Sequence, residues 1–241
     1  MTRNPETVRE VAILLRDKDV LETVKAYQGL EGSSQIANAL GKTAYDTRNP
    51  KTVREVAILL RDKDVLETVK TYQGLEGIAE VVNTLGKIAY LTKDSTIVRE
   101  VAKALRDKEV LETVKAYQGS EEITEVVSAI GETAYWTKDL ETVREVAKTL
   151  RAYQGLEGVA EVANALVEKA SITYWTQNPK TVREVAILLR DKDVLETVRA
   201  YQGSEEITEV VSAIGTTALW TTNSDAIREV AKEYLNRLIE K

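Results

Sequence analysis

A ten-residue pattern recurs along the chain and constrains its fold more than any other feature. The pattern starts at Thr2 as Thr-Arg-Asn-Pro-Glu-Thr-Val-Arg-Glu-Val and returns in related form at Thr47, Thr92, Thr137, Thr176 and Thr221. Successive starts are therefore 45 residues apart, except for one interval of 39. A repeat of this length cannot bury its apolar faces alone, so neighbouring repeats are expected to stack into one continuous core.

The spacing divides the 241 residues into five repeats and a fragment within one expected domain. The repeats cover residues 2–46, 47–91, 92–136, 137–175 and 176–220, and the fragment covers 221–241. The fourth repeat lacks nine residues between Arg151 and Ala152 and has three extra residues after Leu166. We expect its first helix to run from Leu140 into Tyr153 and the stack to open there. The fragment is polar on one face, as a cap helix would be.

Each full repeat is predicted to form three helices. An Asn or Asp that can cap the first helix precedes it at Asn4, Asn49, Asp94, Asp139, Asn178 and Asn223. In the first repeat Val8, Val11, Ala12 and Leu15 then follow at i, i+3, i+4 and i+7, the spacing of one apolar helix face. No segment alternates with the period of two that a strand requires.

The second helix of the first repeat is predicted to begin after Asp17, to direct Leu21, Val24 and Tyr27 inward and to pair Glu22 with Lys25. A Tyr-Gln-Gly motif ends the second helix, and we expect the hydroxyl group of its Tyr to reach water. The Tyr residues of this motif are Tyr27, Tyr72, Tyr117, Tyr153 and Tyr201. The apolar spacing that predicts the third helix is clearest at residues 123–134. Glycines inside third helices are expected to let neighbouring helices approach closely, at Gly41, Gly86, Gly131 and Gly215.

Two runs in the middle of the chain resemble armadillo and HEAT repeats. They are Glu80-Val-Val-Asn-Thr-Leu-Gly-Lys-Ile-Ala and, after a short loop, Thr96-Ile-Val-Arg-Glu-Val-Ala-Lys-Ala-Leu. The resemblance is one of pattern and covers the whole chain. It implies an all-α fold, a curved right-handed α-solenoid of five three-helix repeats with a C-terminal cap helix. It also implies a binding scaffold whose third helices line a concave surface.

One departure separates this chain from the importin-like armadillo proteins. Those proteins have an Asn two residues after the Leu of the third helix, and a ladder of these Asn side chains grips extended peptides. The corresponding residues here are Lys42, Lys87, Glu132, Glu168 and Thr216. The sequence therefore favours a HEAT-like interpretation over an Asn ladder.

The composition excludes several classes of function. The chain has no His and no Cys, which removes His bases, Cys nucleophiles, Cys/His metal sites and disulfides. Its 33 Lys and Arg against 39 Asp and Glu give a net charge of −6, which disfavours nucleic-acid binding. It lacks an apolar run long enough to cross a membrane. We expect a cytoplasmic, non-enzymatic protein without cofactor or metal, with a composition that suits a thermophile.

A polar stripe along the third helices is the candidate binding site. Its members, taken at i, i+3 and i+11 or i+14 of each helix, are Glu80, Asn83, Glu125, Ser128, Trp136, Glu161, Asn164, Trp175, Glu209, Ser212 and Trp220. As a binding groove, the stripe would take a protein or peptide partner, including a basic one, with the three Trp residues as anchors. The alternative, which the usual burial of Trp favours, is that the Trp residues cover the seams between repeats and the Glu residues are solvated.

Three further hypotheses remain open. A row of arginines could bind nucleic acid at Arg9, Arg54, Arg99, Arg144, Arg183 and Arg228, although the Glu that follows each one is expected to compensate its charge. A cleft at the fourth repeat could serve an enzyme or a small-ligand carrier. Finally, Val8, Val11 and Leu15 have no preceding third helix to cover them, which predicts self-association through the first helix.

Overall fold

The computed structural model describes residues 5–239, with side chains from Arg9 onward. Over these residues the chain forms fifteen helices and no strand, which confirms the predicted all-α class. Backbone contacts divide it into two compact units, residues 1–106 and 107–241, which are described separately. The expected N-cap Asn4 lies outside the described residues.

The first unit contains seven helices. They are α1 (Pro5–Leu14), α2 (Lys18–Ala26), α3 (Ser33–Thr47), α4 (Pro50–Leu60), α5 (Lys63–Thr71), α6 (Ile78–Thr92) and α7 (Ser95–Leu105). Helix α4 packs on α2, α3 and α6, so that each first helix contacts both its own repeat and the one before it.

The second unit contains eight helices. They are α8 (Lys108–Ala116), α9 (Ile123–Thr137), α10 (Leu140–Ala152), α11 (Val159–Thr176), α12 (Lys180–Leu189), α13 (Lys192–Ala200), α14 (Ile207–Trp220) and α15 (Ser224–Ile239). Helix α15 packs on α13 and α14 and buries Ile227 and Ala231.

Side-chain caps begin most of the first helices, as predicted. The Asn49 carboxamide oxygen accepts a hydrogen bond from the Lys51 amide at 2.9 Å, and Asp94 and Asp139 cap α7 and α10 in the same way. The prediction for Asn178 is wrong, because α12 has no side-chain cap. Instead, the Asn178 carbonyl oxygen accepts from the Thr181 amide at 3.3 Å.

The predicted inward face of the second helix is confirmed at Tyr27, which is buried, and wrong at Leu21 and Val24, which are exposed. Val20 and Thr23, one residue earlier in each case, are buried instead. Residues 20, 23 and 27 share one side of a helix, while residues 21 and 27 are six apart and point in different directions. The expected partner of Glu22 is also wrong, because Glu22 accepts a hydrogen bond from Arg61 at the end of α4.

Buried hydroxyl groups join consecutive repeats within each unit. In the first unit the Tyr72 hydroxyl donates to the Leu105 carbonyl oxygen at 2.7 Å, and the Thr68 hydroxyl donates to the Ala102 carbonyl oxygen at 2.9 Å. The expectation that these Tyr hydroxyls reach water is therefore wrong. At Tyr27, Tyr72, Tyr117 and Tyr153 the acceptor lies in the last turn of the next first helix, where helices leave carbonyl groups without intrahelical donors. The Tyr201 hydroxyl instead donates to the Tyr234 carbonyl oxygen within α15.

Helix α10 reproduces this joint in the shortened fourth repeat. It runs to Ala152 with Tyr153 as its C-cap, as predicted, and so combines a first and a second helix. Its final turn places the Thr149 and Tyr153 hydroxyls on the Ala186 and Leu189 carbonyl oxygens, each at 2.6 Å. Helix α10 packs directly against α12 across the deletion. The cleft hypothesised at the fourth repeat stays a prediction.

Two of the helix-three glycines lie at close helix contacts, as predicted. A Cβ atom on Gly86 would lie 2.9 Å from the Ala39 Cβ, and one on Gly215 would lie 3.1 Å from the Ala165 Cβ. Gly41 has open space at this position, so the prediction is wrong there. These contacts hold α3 against α6 in the first unit and α11 against α14 in the second.

Replacing Lys93 by Gly is expected to stabilise the first unit by roughly 1 kcal/mol. Lys93 caps α6 with a φ of 53°, a left-handed conformation that is unfavourable by about 1 kcal/mol for a residue with a side chain but not for Gly. Chemical denaturation followed by circular dichroism would measure the change. Thr221 is the matched control, since it caps α14 with a φ of −138°. Thr221→Gly should not stabilise, and equal gains in both variants would contradict the explanation.

Candidate binding surface

The third helices of the second unit run side by side in a fixed register. The Lys169 ammonium group donates a hydrogen bond to the Leu219 carbonyl oxygen, and Ala165 contacts Gly215. Both pairs are 50 residues apart, which is the pattern of two parallel helices, α11 and α14. Helix α9 packs on α11 as well.

The polar stripe faces solvent on these three helices. Glu125, Asn164, Glu209 and Ser212 are exposed, and Ser128 and Glu161 are half-buried. The second unit thus brings together the stripe residues predicted for repeats three to five. The first unit carries a shorter version, in which Glu80 is half-buried and Asn83 is exposed.

The burial argument expected all three Trp residues to cover seams between repeats, and this expectation is wrong. Trp175 is 84% exposed and Trp220 is 78% exposed, whereas Trp136 is half-buried. The three extra residues lengthen α11 to 18 residues, against 15 in α9. Three residues turn a helix by about 300° and lengthen it by about 4.5 Å, so Trp175 does not occupy the position that Trp136 has in its own repeat.

Four neighbouring rings form what we call the aromatic cluster: Tyr135, Trp136, Tyr174 and Trp175. The ring centroids of Tyr135 and Trp136 are 4.5 Å apart, those of Trp136 and Tyr174 are 5.5 Å apart, and those of Tyr174 and Trp175 are 5.6 Å apart. The last two contacts are edge-to-face, a favourable arrangement for aromatic pairs.

The sequence interpretation missed the two tyrosines of this cluster. A Tyr-Trp dipeptide recurs at the end of the third helix in repeats three and four, and this dipeptide was the signal that could have found them. In the structure Tyr174, rather than Trp175, contacts Trp136. In the second repeat, the residue that corresponds to Trp136 is Leu91 on α6, which is 55% exposed.

The surface that the third helices form in the second unit is also acidic. Helices α9, α11 and α14 together carry five carboxylates and one ammonium group, from Glu125, Glu132, Glu161, Glu168, Glu209 and Lys169. Burial lowers the pKa of Lys169, and its ammonium group already donates to Leu219. Between residues 107 and 239, no ion pair joins Glu125, Glu161 or Glu168 to a cationic side chain. In the first unit, α3 and α6 together carry two acidic and two basic residues.

The row of arginines takes part in ion pairs between repeats. The expectation that each Arg is compensated by the Glu after it is wrong for five of the six, and for Arg9 it stays a prediction. The partner is an Asp at the start of an earlier helix, in the pairs Arg54–Asp17, Arg99–Asp62, Arg144–Asp107, Arg183–Asp139 and Arg228–Asp191, with N···O distances of 2.7 to 2.9 Å. The hydrogen bond from Arg228 holds the pKa of Asp191 below its ordinary value. These paired cations offer little unbalanced charge to a phosphate backbone.

The residues predicted for self-association lie at the first helix. Val11 and Leu15 are half-buried, and the Val8 side chain lies outside the described residues. Self-association through this helix stays a prediction.

Among residues 5–239, no helix has both the length and the apolar character needed to cross a bilayer. Over the same part of the chain, no group of three or more Asp or Glu residues could hold a metal ion.

No protein-family model matches the chain, and no curated protein matches it significantly.

Proposed function

We propose that this protein is a non-enzymatic binding scaffold that presents its third helices to a protein or peptide partner. In this proposal the chain is a right-handed α-solenoid of five armadillo/HEAT-like three-helix repeats with a cap helix at residues 221–241. The recurring hydroxyl-to-carbonyl joints and Arg–Asp pairs within each unit support the repeat architecture.

The exposure of Trp175 is the single observation that carries the proposal. Trp presents a large apolar area, and 84% of this residue's surface is in contact with water. A Trp side chain that a partner covers typically accounts for 2 kcal/mol or more of binding energy at an interface, on the order of 30-fold in affinity. The aromatic cluster beside it extends the area that a partner could cover.

A random peptide library displayed on phage tests the proposal. Selection on the full chain should enrich peptides that bind Trp175→Ala about 30-fold more weakly than the unchanged protein. Leu91→Ala is the control, because it removes an exposed apolar side chain near the end of the third helix in a repeat without Trp. The proposal would be wrong if no peptide is enriched, or if the Trp175 variant binds as well as the control.

A further inference from the structure

We propose that the partner is an extended peptide with arginine or lysine at every third position, bound along α11 with one cationic side chain on the Trp175 ring. This inference rests on the proposed function and names the chemistry of its partner. It follows from the spacing of three side chains on one helix, from the open ring faces and from the charge of the surface.

The spacing along α11 sets the register of the peptide. Glu161, Glu168 and Trp175 are seven residues apart, so that they lie on one helix face at intervals of about 10.5 Å. An extended chain advances about 3.3 Å per residue, so three residues cover one interval. A peptide that runs along this face therefore meets Glu161, Glu168 and Trp175 with every third residue. Alternate side chains of a flat strand point to opposite sides, so a polyproline-like peptide fits better. It has three residues per turn, places every third side chain on the same side and advances about 9.3 Å per turn, a difference from the interval of about 10.5 Å that long Arg or Lys side chains can span.

The ring faces at the end of this line are suited to a cation. The contact between Trp175 and Tyr174 places the edge of one ring against a face of the other, so that it covers at most one face of the indole. The high exposure of Trp175 leaves most of its indole surface in water. Cations bind preferentially to the faces of Trp rings, and Arg does so more often than Lys. An Arg guanidinium group could lie on Trp175, while the next cationic residue reaches the exposed Glu168.

The charge of the surface selects a cationic partner over an acidic or neutral one. In the described part of the chain no ion pair joins Glu161 or Glu168 to a cationic side chain. The one ammonium group on α11, that of Lys169, donates its hydrogen bond to the Leu219 carbonyl oxygen. Complementary charge raises the rate of association and disfavours partners of the wrong sign. The first unit lacks both the Trp and the acidic excess on α3 and α6, which makes it an internal control.

Fluorescently labelled ten-residue peptides would test this inference by anisotropy with the full chain at about 0.1 M salt. The probe has Arg at positions 2, 5 and 8 in a Ser/Pro background, and two comparison peptides have the same Arg residues in one block or Gln in their place. We expect the spaced peptide to bind at least about 10-fold more tightly than either comparison. Trp175→Ala and Glu168→Gln should each weaken its binding at least 10-fold, and Trp175→Phe should restore part of the loss.

Glu100→Gln is the matched charge control, because Glu100 is exposed on α7 in the first unit and its removal changes the net charge by the same amount. Equal weakening by Glu168→Gln and Glu100→Gln would overturn the inference, since it would indicate unspecific attraction. Equal binding of the spaced and blocked peptides would overturn it as well. If the phage library yields Trp175-dependent peptides without basic residues, the inference fails while the proposed function stands.

Discussion

Replacing Tyr72 by Ala is expected to destabilise the first unit by roughly 3–5 kcal/mol, the range for truncating a large aromatic side chain in a core. Tyr72 has no exposed surface, and its hydroxyl donates to the Leu105 carbonyl oxygen. The substitution removes the ring from the joint between the second and third repeats and leaves that carbonyl without its donor. Urea denaturation followed by circular dichroism would measure the loss as a lower midpoint.

Two variants separate the contributions to this effect. Tyr72→Phe keeps the ring and removes only the hydroxyl group, so we expect a loss of about 1–2 kcal/mol. Tyr45→Ala is the control, because Tyr45 is 58% exposed and its truncation should cost less than about 0.5 kcal/mol. Similar losses in Tyr72→Ala and Tyr45→Ala would mean that the joint does not hold the unit together.

The sequence predicted the helices well because their signals are local. The caps at Asn49 and Asp94 and the break at Gly74, whose φ is +77°, depend on the residues immediately around them. The fused helix α10 was also predictable, because the deletion joins two helical segments without a breaker between them. Each of these features follows from backbone hydrogen bonding within a few residues.

Contacts between repeats were predicted poorly, because the sequence spacing within a helix does not reveal partners about 40 residues away. Arg99 was assigned to the adjacent Glu100, whereas its partner is Asp62, 37 residues earlier. Similarly, the Tyr72 hydroxyl was assigned to water, although its acceptor is 33 residues later. The recurrence of Asp, Arg and Tyr at fixed places in every repeat was the available signal for both contacts.

The candidate site was predicted in part. The outward direction of Glu125 and Glu209 follows from helical periodicity, which the sequence contains. The exposure of Trp175 does not, because the burial of a side chain depends on what its neighbours cover. The insertion in α11 changes the angle of that side chain, and only the packing against Trp136 shows that Tyr174 takes the inner place.

Raising the pH above about 10 is expected to unfold both units steeply, because buried tyrosines resist ionisation. Burial raises the pKa of four of them above its ordinary value; they are Tyr27, Tyr72, Tyr117 and Tyr153. In the unfolded chain a tyrosine loses its proton near pH 10, while the folded chain retains it. The unfolded state therefore binds fewer protons, and the free energy of unfolding falls as the pH rises from about 10 toward the raised pKa.

The expected slope is about 1.4 kcal/mol per pH unit for each tyrosine that stays protonated, so the two such residues in each unit give about 2.8 kcal/mol per pH unit. Urea denaturation at pH 9, 10 and 11 would measure it, and absorbance at 295 nm would follow tyrosinate formation. Lysines also titrate in this range, so the control is Tyr72→Phe, whose slope in the first unit should be smaller by the contribution of one tyrosine. Ionisation of all ten tyrosines while the helix content stays unchanged would contradict the buried, proton-retaining role of these hydroxyls.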